Sequence, residues 1–198
     1  MKSCISKTAI IAIILVAALP VLARADTWQI DPAHTSVEFT VRHMMISNVK
    51  GVFQRTAGTI TTNGNDPASA KIDATIDASS VDTRVAKRDA HLKSPDFLDV
   101  AKFPTITFKS TKVEAAGPNK WNVTGDLTLH GVTKPVVLAV EGSGAPIQVM
   151  GKTRAGASAT ATIKRSDFGL TWNKALEAGG VMVGDDVAIS IDVEAVKQ

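Results

Sequence analysis

Apolar and polar residues alternate along most of this chain. Over residues 36–43, Val37, Phe39, Val41 and His43 fall on one face and Glu38, Thr40 and Arg42 on the other. A period of two marks a strand with one buried face, so His43 is expected to turn inward beside Val41 and Phe39. Residues 71–77 repeat the pattern, with Ile72, Ala74 and Ile76 opposed to Lys71, Asp73, Thr75 and Asp77. Further strands are expected over residues 28–30, 58–62, 105–114, 120–129, 135–141, 153–164 and 187–196. Asp31-Pro32, Asn63-Gly64-Asn65-Asp66-Pro67 and Gly117-Pro118-Asn119 are the turn signals between them. About eight or nine strands joined by short turns predict an all-β fold. Their length favours a single elongated eight-stranded antiparallel barrel, because closure removes the open edges that long strands would otherwise expose.

One stretch breaks the alternation. After Asp82 comes a short charged helix-like turn, then Ser94-Pro95-Asp96-Phe97 and Phe103-Pro104, before a strand resumes at Thr105. Such a segment in an all-β chain is expected to be a helical cover over one end of the barrel. Residues 165–180 are the second departure, a long segment carrying Phe168 and Trp172 and closing on Gly179-Gly180. It fits a mobile flap over the mouth and equally a loop that staples the barrel base. The inward faces place Val37, Ile60, Ile72, Trp121, Val123, Leu127 and Ile191 in the interior. An eight-stranded barrel either fills with side chains or holds one ligand. Long strands, a cover and a glycine-ended segment favour a ligand.

The N-terminus changes how composition is read. Residues 1–7 carry two lysines and no acid, residues 9–19 are unbroken apolar, and Ala23-Arg24-Ala25 precedes Asp26. This is the layout of a secretory signal peptide, with an apolar core too short to span a bilayer comfortably. The chain is thus expected to comprise a cleaved signal peptide, 1–25, and one domain, 26–198, released into a bacterial periplasm. Lys2, Lys7 and Arg24 are three of the 22 basic residues, and the leader holds none of the 19 acids, so the remainder is formally neutral. Nucleic-acid binding loses its electrostatic basis. The single cysteine, Cys4, also falls in the leader, which excludes disulfides and thiolate metal sites from the mature domain.

Candidate chemistry is sparse. His34, His43, His91 and His130 are scattered, so no metal is expected. There is no Gly-x-Ser-x-Gly elbow and no phosphate-binding glycine loop, and tyrosine is absent. An enzyme is therefore not expected, and neither is a cofactor. Arg88 and His91 share a helical face, where they either fix the turn or donate to a polar head group; Asp89 is expected to pair with Arg84. Asp185-Asp186 reads as turn chemistry before the last strand.

Six blocks, taken in order, carry a resemblance: residues 30–39 (IDPAHTSVEF), 51–53 (GVF), 88–97 (RDAHLKSPDF), 103–108 (FPTITF), 125–133 (GDLTLHGVT) and 165–169 (RSDFG). The chain resembles the YceI-like family of bacterial periplasmic, lipocalin-like proteins over nearly all of 27–196. That resemblance implies an eight-stranded barrel with a helix and, as in some members, a polyisoprenoid or another amphiphilic lipid held inside. For such a ligand, Phe39, Val41, Ile76, Phe97, Phe108, Leu129, Phe168 and Ile189 are the candidates for contact with the lipid tail, although the resemblance does not separate packing from ligand positions. His43, Arg88 and His91 are candidates for polar contacts near the head. A carrier or store for a lipid follows; a packed structural or stress-response protein and an enzyme acting on an isoprenoid are the alternatives. Transient membrane contact and a homodimer are left open, and no clear dimer patch can be read because outward faces are mostly Thr, Lys and Asp.

Overall fold

The computed structural model describes residues 25–64, 66–177 and 179–198. The expected signal peptide therefore lies, but for its last residue, outside the described residues. Twelve strands and one helix are found among those described: β1 (Ala25–Ile30), β2 (Ser36–His43), β3 (Ser47–Phe53), β4 (Thr56–Asn63), β5 (Asp66–Asp77), β6 (Val81–Asp82), α1 (Ala86–Lys93), β7 (Thr105–Gly117), β8 (Lys120–Leu129), β9 (Val132–Gly142), β10 (Ile147–Val149), β11 (Lys152–Lys164) and β12 (Val183–Lys197). Every strand pairing is antiparallel.

Neighbouring strands run β11-β9-β8-β7-β5-β4-β1-β12, and β12 returns to β11 to close an eight-stranded barrel. The closing seam is continuous, from Arg154 opposite Val196 to Lys164 opposite Asp186. On its other edge β12 is shared. Its C-terminal end pairs with β1, and its N-terminal part pairs with β2, which extends through β3 to β6. Closure satisfies backbone groups that an open sheet would leave unpaired.

Where the strands begin and end differs from the sequence reading in ways that local chemistry explains. β3 was not expected, because its alternation is broken by Gly51. That glycine sits opposite Phe39 and beneath its ring, so the apolar partner is supplied across the strand pair. β9 starts at Val132, after a two-residue turn in which His130 (φ 53°) and Gly131 (φ 75°) are both left-handed, as tight hairpins require. Asp185 and Asp186 are strand residues of β12 and not a turn. Asp185 accepts hydrogen bonds from Ser166 N (3.1 Å) and Oγ (2.8 Å), and Asp186 pairs with Lys164 Nζ at 3.0 Å. The register shift between Val183 and Val187 makes this possible, since a bulge re-aims side chains.

One end of the barrel is plugged. Ala78, Ile106, Leu129, Ile163, Phe168 and Leu170 form its buried core, with Phe97, Leu98 and Val100 from the segment after α1 packed against them. Residues 165–173 are a staple. Arg165, only 6 % exposed, donates from Nε to Gly184 O (2.9 Å) and from Nη1 to Leu170 O (2.5 Å) and Trp172 O (2.9 Å). Asn173 completes it by bonding both the N–H and the carbonyl of Val183 through its side-chain amide.

Candidate ligand-binding cavity

Inside the barrel lies a cavity of about 490 Å³ that runs from the plug towards the opposite rim. At the plugged end it is bordered by Leu92, Phe97, Leu98, Ile163 and Leu170; at the other, by Gly64, Pro67, Gly142, Gly144 and Pro146. Its volume falls in the ~300–1,000 Å³ range of small-molecule sites. The strand alternation produces this wall directly, since every second residue of a barrel strand faces in. The apolar interior residues expected from periodicity, from Val37 on β2 to Ile191 on β12, border the cavity, whereas His43 does not.

Two features keep the bore open. On β11 the inward positions away from the plug are small: Ala155, Ala157 and Ala159. Three aromatic residues of the wall, Phe39, Phe108 and Trp121, lie against glycines. Gly51 sits beneath Phe39, Gly125 beneath Phe108, and a Cβ on Gly142 would be 3.0 Å from Trp121. A side chain at those glycines would tip the rings into the lumen. Phe39 also packs on Phe53 at 5.7 Å between centroids.

The wall is almost devoid of charge. Glu38 and Arg165 are the charged residues among its described lining. Glu38 is exposed and accepts from Ser36 Oγ at 3.2 Å, while Arg165 is committed to backbone carbonyls. Burial pushes the Arg165 guanidinium below its ordinary range. Nothing in the described wall is arranged to hold a charged group deep inside.

Of the eleven residues named from sequence, Phe39, Val41, Ile76, Phe97, Phe108, Leu129 and Ile189 line the cavity. The other four do not. His43 ends β2 opposite Val183 and Ser47, where the hairpin turns back, so its face no longer meets the lumen. Arg88 is bound to Thr83, from Nε to Oγ1 (2.8 Å) and from Nη2 to the carbonyl (2.9 Å). Asp89 accepts from the Thr83 N–H and hydroxyl rather than pairing with Arg84. His91 lies 2.9 Å from Asp96 Oδ2, with its ring edge-on to Phe97 and Trp172. Phe168, at 2 % exposure, belongs to the plug itself. Trp28 and Ile30 of β1 and Val136, Leu138 and Val140 of β9 are lining residues that sequence reasoning missed. Alternation along β9 carried the signal for the last three.

Outside the barrel, Asp31, His34 and Glu194 bring donor atoms within 4.8 Å of one another. The cation there is Arg154, whose Nη1 bonds both Asp31 (2.9 Å) and Glu194. Arg154, then His34 and the Ala33 N–H, hold the Asp31 carboxyl well down, from 3.8 to about 2. The cluster is an ion-pair network tying the turn after β1 to the β11–β12 seam.

Known proteins share this architecture. A UPF0312 protein of Vibrio vulnificus is 42 % identical over 158 residues, which cover 79 % of this chain and 84 % of that relative. The crystal structure of the Campylobacter jejuni YCEI protein superposes with a TM-score of 0.67 at 37 % identity, covering 79 % of this chain and 90 % of that one. A polyisoprenoid-binding domain from Saccharophagus degradans, implicated in plant cell wall breakdown, superposes with a TM-score of 0.64 over 85 % of this chain and 97 % of that one; at 15 % identity it shows a shared fold. The YceI-like domain model matches residues 28–195, nearly the whole barrel, and the chain belongs to the YceI-like family.

Proposed function

We propose that the barrel holds the apolar tail of an isoprenoid or similar amphiphilic lipid in its interior. In this reading the protein is a carrier or store in the periplasm, reached through a cleaved signal peptide, and not an enzyme. The observation that carries the reading is the long, almost chargeless cavity, kept open by alanines on β11 and by rings packed against glycines. The charged groups of the described wall are the solvent-exposed Glu38, which accepts from Ser36, and Arg165, which is committed to backbone carbonyls, so neither is placed to serve a charged substrate or a reaction deep in the bore. The polyisoprenoid-binding description of the Saccharophagus degradans domain supports the ligand class.

The energetics are adequate. Each buried CH₂ contributes ~0.8 kcal/mol, so three isoprene units, about fifteen carbons, give on the order of 10 kcal/mol gross. Association and ordering cost ~4–15 kcal/mol, which leaves micromolar binding attainable for a chain of this length or longer. The head group belongs at the unplugged rim, because the plug presents satisfied hydrogen-bonding groups.

Trp28 and Trp121 border the lumen and act as reporters. An isoprenoid quinone titrated into the protein should quench their fluorescence to saturation. Ala159→Trp, which fills the bore, should abolish the quenching in protein that still unfolds cooperatively, whereas Lys120→Ala should leave it intact. Unimpaired quenching in a folded Ala159→Trp variant contradicts an interior site.

A further inference from the structure

The β10–β11 hairpin breaks two rules of a soluble surface at once. It extends past the β11–β12 seam, because the last pair there is Arg154 with Val196 and the hairpin continues beyond it to its turn at Met150-Gly151. Three of its exposed residues are large and apolar, Ile147 at 60 %, Val149 at 38 % and Met150 at 98 % exposure, beside the polar Gln148 and Lys152. Met150 also adopts φ 51°, a left-handed position that two-residue hairpins reserve for Asn, Asp or Gly. A fully exposed, backbone-strained methionine gains nothing from folding.

Its location gives it a use. Gly144 and Pro146, which border the unplugged end of the cavity, immediately precede β10. We propose that this hairpin inserts its Ile147, Val149 and Met150 side chains into the surface of a lipid bilayer and so holds the cavity mouth against the membrane. Three side chains on one hairpin fall well short of the ~800 Å² per partner that a stable protein interface buries. Apolar side chains dipping into the headgroup–acyl boundary need no such area. Lys152, beside the turn and opposite Val149, is exposed and forms none of the described ion pairs, which suits it to anionic headgroups. The other exposed apolar tip, Met44-Met45-Ile46, lies at the opposite end of β12, beyond Val183, and is tied to Met182 through its backbone. It cannot serve the same mouth. The role in cargo exchange rests on the proposed lipid-binding function, whereas bilayer docking is measured without cargo.

Vesicle flotation tests it, with protein purified from cells producing the full chain and vesicles of mixed phosphatidylethanolamine and phosphatidylglycerol. Wild type should float, and Met150→Asp should reduce the bound fraction by about tenfold. Met150→Asn separates docking from folding, since asparagine suits the left-handed turn: it should melt no lower than wild type and still lose vesicle binding. Met45→Asp should float like wild type. The proposal is overturned if wild type stays in the aqueous fraction, if Met150→Asn floats undiminished, or if Met45→Asp is the variant that loses binding. It is equally overturned if light scattering finds a dimer of this chain that Met150→Asp dissociates. Quinone quenching measured on the same samples in detergent reports the cavity separately, so an empty cavity and a failed docking surface give different results.

Discussion

Gly125 and Phe108 illustrate how single residues set the bore. A Cβ at position 125 would lie 2.6 Å from the Lys109 carbonyl and closer still to the Phe108 ring, which covers the glycine. Gly125→Ala must therefore shift the β7–β8 pair or turn the ring into the lumen, costing about 1–3 kcal/mol. Urea denaturation measures that cost, and quinone capacity should fall with it. Arg165 is the second residue on which the plug depends. Arg165→Leu leaves the carbonyls of Gly184, Leu170 and Trp172 without their donor, and the expected loss in the same assay is about 3 kcal/mol or more. Arg165→Lys keeps the charge but not the fork, so it should fall between the two. A denaturation midpoint for Arg165→Leu equal to wild type would show that the staple is held by packing alone.

At the level of elements, α1 is held by polar contacts more than by burial, since none of its residues is fully buried. Its anchor is Thr83, at 5 % exposure, which donates to Asp89 and accepts from Arg88. Asp89→Ala removes both bonds to the Thr83 N–H and hydroxyl. It should cost about 1–3 kcal/mol and, because the cover carries Leu92, Phe97 and Leu98 of the cavity wall, speed ligand release. Stopped-flow dissociation of a bound quinone checks the second effect. The same segment shows what sequence could and could not convey. Alternation placed the inward residues of β2, β5, β7, β8 and β12, because a barrel strand has only two faces. It failed at His43, where the face persists but the lumen ends, and at β3, where Gly51 lets a ring from the opposite strand take the inward place. Arg88 and His91 were legible as a pair on one helical face. Their partners, Thr83 and Asp96, depend on how the chain folds back after β6 and α1, which local periodicity does not encode. Arg165 left no sequence signal beyond its block, because its partners are backbone carbonyls.

For the whole molecule, three carboxylates are held low. Arg154, then His34, lowers Asp31 to about 2; the Ser79 hydroxyl, then Arg55, lowers Asp77; the Ser166 hydroxyl lowers Asp185. A carboxyl depressed in the folded state adds stability above its unfolded value, near 3.8 for an aspartate, and loses it as pH falls through the folded value. The melting temperature should therefore be insensitive to these groups near neutrality and decline from about pH 4 towards pH 2. Asp31→Asn should flatten part of that decline, and a profile identical to wild type would remove the Asp31–Arg154–Glu194 network from the account of barrel closure. What closure serves is the cavity, and the most direct measurement is of its contents. Protein purified under native conditions would be extracted with organic solvent and the extract compared by mass spectrometry with a mock purification. The account predicts an isoprenoid or acyl lipid in stoichiometric amount, absent from Ala159→Trp. An extract without lipid, from protein that also fails to take up added quinone, would contradict it.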